Sequence, residues 1–468
     1  MKKTSIAPLL LVLSFPLFAQ IPPDLLAKAN VGDANAQLSL GVAYYNGDGV
    51  SQNYTEAAQW FQKAADQGLA FAQYMLGSLY FAAEGVPQNY PEAVKWLQKA
   101  ADQGLAFAQC GLGILYDSGK GVPQNYAEAA QWYQKAADQG LADAEYRLGA
   151  LYDNGKGVPQ NYAEAAQWYQ KAADQGVASA QSNLGLAYYN GDGVPQNYAE
   201  AVRWFQKAAN QGEAFAQYML SSLYFTAEGV PQNYPEAVKW LQKAADQGLA
   251  AAQFSLGAAY HEGNGVTLDY AEAAQWYEKA ADQGMAEAQF HLGVLYDSGK
   301  GVPQNYAEAA QWYERAADQG LDIAEFRLGV LYYNGWGVPQ NFAEAVEWYQ
   351  KAADQGLAGA QDSLGSAYYS GKGVPQNYAE ATKWYQKAAD QGVASAQFVL
   401  GLAYFKGEGV PKDYVKAHMW LNLAAVGFGS DKNNRNEAIK GRDLVARLMT
   451  SDQIAEAQKL ASEWKPTK

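Results

Sequence analysis

The chain has 468 residues and a net charge of −14 at pH 7, with Asp and Glu spread along its length and no basic block. Phosphate recognition needs clustered Lys and Arg, so this balance argues against nucleic acid as a partner. A single cysteine, Cys110, excludes an intramolecular disulfide and leaves packing to hold the fold.

Residues 1–19 read as an export signal. Lys2 and Lys3 precede a short apolar stretch from Leu9 to Phe18, and Ala19 offers a small residue for cleavage. The stretch is shorter than the roughly 20 residues a membrane-spanning helix needs, and no Cys follows it to carry a lipid. These features predict a periplasmic or secreted protein with no transmembrane segment in its mature form. Residues 20–32 follow, where Asp24 to Val31 resembles half of a second helix and is expected to cap the N-terminal end.

Eleven tryptophans then recur every 36 residues, from Trp60 to Trp420, without an insertion. A fixed period of this length marks a stack of supersecondary units over 33–428. Residues 105–140 illustrate one unit. Ala108, Leu112, Leu115 and Tyr116 share a helical stripe that predicts a helix from Leu105 to Asp117. Gly119 and Gly121 break it. Asn125 is the expected N-cap of a second helix, with Glu128 three residues on completing a capping box. Gly140 is the expected left-handed stop. Gly113 lies inside the first helix, where it costs about 1 kcal/mol relative to Ala. The same Leu-Gly pair recurs in ten of the eleven units, which points to a close helix contact. Residues 429–468 differ in composition. A helix is expected from Asn436 to Met449, and Thr450 with Gln453 should cap another through Trp464. Long segments also recur nearly unchanged, from Tyr74 at Tyr218 and from Tyr116 at Tyr296, as duplicated blocks of units would.

Each unit follows A-x-x-x-L-G-x-x-Y, then G-x-G-V, then Y-x-E-A-x-x-W-Y-x-K-A-A-x-x-G. This resembles the Sel1-like repeat, a relative of the tetratricopeptide repeat. The resemblance implies an all-α fold, a right-handed α-solenoid superhelix of helix-turn-helix repeats. It also implies adaptor or scaffold roles, often in exported bacterial proteins that contact envelope components or host proteins. A cysteine-rich branch has been linked with beta-lactam binding or hydrolysis, and this chain, with Cys110 alone, departs from it.

Positions 22 and 15 residues before each Trp lie opposite the apolar stripe and vary between units. The first carries Tyr74, Tyr146, Tyr218, Phe254, Phe290, Phe326 and Phe398. The second carries Phe81, Phe225, Tyr333 and Phe405, with Asp153 and Asp297 in other units. They are expected to line a concave groove of rings and carboxylates, or else to pack into the next repeat. Trp336, between two loop glycines, is a further candidate anchor. No catalytic, cofactor or metal residue is expected. His261, His291 and His418 fall in separate units without metal-ligand spacing, and no nucleophile motif occurs.

The sequence thus predicts a non-enzymatic scaffold binding protein or peptide, with envelope glycan as another possible ligand. The alternative is an envelope enzyme or enzyme modulator acting on beta-lactams or peptidoglycan. Mass spectrometry of the exported protein should find a first residue near Gln20; a mature chain that retains Met1 would contradict the export signal.

Overall fold

The computed structural model describes residues 20–467, and the expected export signal lies outside them. The described residues form 25 helices and no strand. The chain divides into two compact units, Met1–Trp240 and Leu241–Lys468. Within each, a helix packs chiefly on the helices before and after it in sequence, which is the organisation of an α-solenoid.

One repeat shows why these residues adopt this form. The first helix spans Ala106–Ser118, one residue later than the periodicity predicts at each end. Leu105 is extended, with φ −71° and ψ 111°, and Gly119 stops the helix in the left-handed region at φ 68°. The second helix, Tyr126–Ala137, starts where the Asn125 side chain accepts from the backbone N–H groups of Ala127 and Glu128 at 3.1 and 3.2 Å. The expected capping box is only half formed. The Asn125 N–H donates instead to the Tyr116 carbonyl at 2.9 Å, tying the second helix back to the first, so it has no donor left for Glu128. Glu128 still favours the positive end of the helix dipole. The helix then closes with Leu141 N–H on the Ala136 carbonyl at 3.2 Å and Gly140 at φ +80°.

The glycine inside the first helix has a steric purpose. A Cβ on Gly113 would lie 2.4 Å from the ring of Tyr133, and one on Gly329 would lie 2.7 Å from the ring of Tyr349. These rings belong to the second helix of the same unit and are almost wholly buried. The second loop glycine joins one unit to the previous one: a Cβ on Gly157 would sit 2.2 Å from the carbonyl carbon of Tyr126. Outside these contacts, the Lys three residues after a repeat Trp covers its indole, as Lys171 does over Trp168 at 3.7 Å and Lys279 over Trp276 at 3.5 Å.

Buried glutamines link successive units. Gln37 donates to the Ala29 carbonyl at 3.1 Å and accepts from Gln67 at 2.8 Å. The same pair of bonds recurs at Gln73, Gln181 and Gln361. Gln37 also shows that the first helix, Pro23–Asn30, docks as a second helix does. Glu145 and Glu325 take the ladder position in two units. Each accepts from the next glutamine, Gln175 at 2.7 Å and Gln355 at 2.8 Å, but an ionised carboxylate has nothing to donate. Burial raises the pKa of both above the ordinary 4.5.

At the C-terminal end, the helix expected from Asn436 begins earlier, spanning Lys432–Ala446, because Asp431 caps it through the Asn434 N–H. Thr450 and Gln453 do form the reciprocal box, at 3.0 and 3.3 Å, and open the helix Ser451–Glu463. Trp464 packs edge-on to Trp420, and Thr467 N–H donates to the Asp390 carbonyl at 2.8 Å.

Two substitutions check this account. Gly329→Ala should destabilise the fold by about 1–3 kcal/mol through overpacking, although Ala is the better helix former; chemical denaturation measures it. Glu145→Gln restores a donor to the Ala137 carbonyl and should stabilise by about 1 kcal/mol at neutral pH. The folded-state pKa of Glu145 is raised, so its protonated form favours the fold below 4.5 and that contribution is lost as pH rises through the folded value. The advantage of Gln should therefore shrink on acidification.

Candidate binding face

The variable ring positions do not stand free on an outer face. They lie at the joints between helices. The ring 22 residues before the Trp reaches the tyrosine that follows the Trp: Tyr146 to Tyr169 at 6.0 Å, Phe254 to Tyr277 at 5.7 Å, Phe290 to Tyr313 at 5.7 Å and Phe326 to Tyr349 at 5.8 Å. Phe398 packs instead near Phe428, at 6.3 Å. The same position also meets the start of the next unit, as Tyr74 meets Phe107 at 5.9 Å. Cys110 occupies it in one unit, its Sγ 3.5 Å from Asp143; burial pushes the thiol pKa up and leaves it unreactive.

The ring 15 residues before the Trp packs on the first ring of the second helix. Phe81 lies 5.5 Å from Tyr90, Phe225 5.7 Å from Tyr234, Tyr333 5.1 Å from Phe342 and Phe405 6.1 Å from Tyr414. Where an aspartate replaces the ring, it accepts from the buried tyrosine. Tyr169 donates to Asp153 and Tyr313 to Asp297, both at 3.2 Å. Burial, then the charge of Asp192, raises the Asp153 pKa.

The loop residue just before the second loop glycine then covers the preceding unit. Lys120 lies 5.0 Å from the Phe81 ring, and Lys372 donates to the Tyr333 hydroxyl at 3.1 Å. Glu84 and Glu408 accept from Tyr45 and Tyr369 at 3.3 and 3.1 Å. Trp336 occupies this same place and stacks on Tyr306 at 5.5 Å with 27° between planes. It packs on the previous unit rather than on its own loop, and 45% of it stays exposed.

Burial sorts the candidates. Tyr74 and Phe81 are 3% and 5% exposed, so neither presents a ring face to a ligand. Tyr146, Tyr218, Phe225, Phe254, Phe290, Phe326, Tyr333, Phe398 and Phe405 are half-buried, as are Asp153 and Asp297. A cavity of about 60 Å³ lies beside Asp153, Tyr162, Tyr169, Asn183 and Asp192, well below the roughly 300 Å³ at which small-molecule sites begin.

Spacing along the chain misses one grouping. His261 and His291 come together, with ring centroids 6.4 Å apart, although they occupy different units. Overlaying successive units on their common period would have placed them on neighbouring first helices. Among the described residues no three His, Cys, Asp or Glu converge as a metal site.

The chain is thus an array of paired helices whose joints carry its variable residues. It belongs to the Sel1 repeat family, whose repeat matches eleven successive segments: 34–69, 70–105, 106–141, 142–177, 178–213, 214–249, 250–285, 286–321, 322–357, 358–393 and 394–425. Among solved structures it is similar to c5321 of Escherichia coli, described as a protective antigen present in uropathogenic strains and displaying an SLR fold. The two share 37% identity over 94% of this chain and 93% of that one, with a TM-score of 0.84. A Sel1 repeat protein from Oxalobacter formigenes is 36% identical over 66% of this chain and 89% of its own, with a TM-score of 0.52. No curated protein matches the chain. Sel1-like and tetratricopeptide-like repeat proteins generally act as protein-interaction scaffolds.

Proposed function

We propose that this protein is a non-enzymatic scaffold of the bacterial envelope or the cell exterior that binds a protein or peptide along its first helices. The observation that carries this reading is the row of half-buried rings at the joints, from Phe254 through Phe290 and Phe326 to Tyr333, with Trp336 projecting beside it. Partly exposed rings offer contact area at little entropic cost, and an exposed Trp already stacked on Tyr306 is held ready as an anchor. An extended polypeptide matches a surface built by repetition better than a compact substrate does. Export is supported by the Lys2 and Lys3 start and the Leu9 to Phe18 stretch, and by likeness to a protein described as a protective antigen.

Affinity capture from envelope and culture-fluid extracts, followed by mass spectrometry, should return a discrete partner. Trp336→Ala should weaken its binding by about tenfold or more with helix content unchanged. The triple replacement of Phe290, Phe326 and Tyr333 by Ala should cost binding more than structure. If circular dichroism shows helix content falling in step with affinity, these rings serve the core instead. Turnover of a chromogenic beta-lactam, abolished by changing one polar residue, would support the enzymatic alternative.

A further inference from the structure

The two histidines, which lie in successive repeats within Leu241–Lys468, stand in unusual company. His261 ends the helix Ala250–Glu262, at the position that carries Tyr189 or Tyr333 elsewhere. His291 lies in the helix Ala286–Ser298, at the position that carries Met75 or Met219. Tyr277, from the helix Tyr270–Asp282, touches both, 6.2 Å from His261 and stacked on His291 at 5.3 Å with 24° between planes. Phe254 and Phe290 flank His291 at 5.5 and 5.4 Å, and Tyr270 meets His261 edge-on at 5.1 Å. The Nδ1 atom of His261 is buried and has no hydrogen-bond partner. Lys300, from the loop that follows the second of these helices, lies 5.2 Å from the Tyr270 ring and adds a positive charge on the same side.

We propose that His261 and His291 form a proton-sensitive joint between two successive repeats. As neutral imidazoles they complete the aromatic packing around Tyr277. As imidazolium ions they repel each other and Lys300 in surroundings that solvate charge poorly, and the joint between the helices Ala250–Glu262 and Ala286–Ser298 loosens.

The opposing charges are few. Glu262, on the helix of His261, favours protonation of both rings, and Glu287 favours that of His291. The faces of Tyr277 and Tyr270 also attract a cation. Burial, together with Lys300 for His261 and with His261 for His291, outweighs them and holds both pKa values below the ordinary 6.5. The unfolded chain therefore binds more protons than the folded one once pH falls through 6.5, and stability declines with further acidification until the folded-state values are passed.

The replacements His261→Tyr and His291→Met install residues that other units already carry at these positions. Thermal and denaturant unfolding of the full chain and of this double variant should be compared at about pH 7.5 and about pH 5. The natural protein should lose clearly more stability than the variant on acidification, with more protons, up to about two, taken up per chain on unfolding. Burial, and then Arg442, lowers the His418 pKa as well, but this residue is present in both proteins and cancels. Equal acid sensitivity in the two proteins would overturn the proposal. Should the variant fold poorly, NMR titration of the natural protein decides the matter: His261 and His291 must titrate below the ordinary imidazole value, and titration at or above it would equally overturn the joint.

Discussion

In ten of the eleven units, the aromatic or leucine side chain that follows the repeat tryptophan lies directly against a helix backbone that carries no Cβ; Ser221 stands there in the other. Gly113 beneath Tyr133 and Gly329 beneath Tyr349 leave no room for even one methyl group. This close approach sets the separation of the two helices in a unit. It also places the next loop so that Gly157 can rest on the backbone of Tyr126 in the preceding unit. The propensity lost by putting glycine in a helix is offset by burial of a whole ring. With that distance set, the amide ladder and the loop contacts fall into register. Each spans neighbouring units, and neither would form on a helix pair alone.

Around that constant frame, chemistry at the joints is interchangeable. A ring, an aspartate or a histidine fills the place that accommodates Tyr333, Asp153 and His261. A lysine, a glutamate or a tryptophan covers it from the next loop. Each combination satisfies the joint in its own way: a cation over a ring, a hydroxyl on a carboxylate, or two stacked rings. This tolerance explains how blocks of units could be duplicated and spliced without disturbing the period.

The same arrangement bears on function. A wall assembled from half-buried side chains at repeating joints offers length and ring area, whereas the cavity beside Asp153 is far too small for a substrate pocket. Trp336 stands out because it keeps 45% of its surface exposed while its orientation is held by Tyr306.

Much of the architecture was legible in the residues. The 36-residue period defined the stack, the stripe of Ala108, Leu112 and Leu115 defined the first helix to within a residue, and Asn125, Gly140 and Thr450 marked helix ends. These features depend on contacts within one turn or one period, which spacing encodes. Tertiary structure alone decided that the Asn125 N–H is taken by Tyr116 and not by Glu128, that Tyr74 and Phe81 are core residues, and that His261 meets His291. A helical wheel gives the direction in which a side chain leaves its helix. Where a long ring ends, and what it meets, depends on how close the neighbouring helix comes, and packing across units sets that distance.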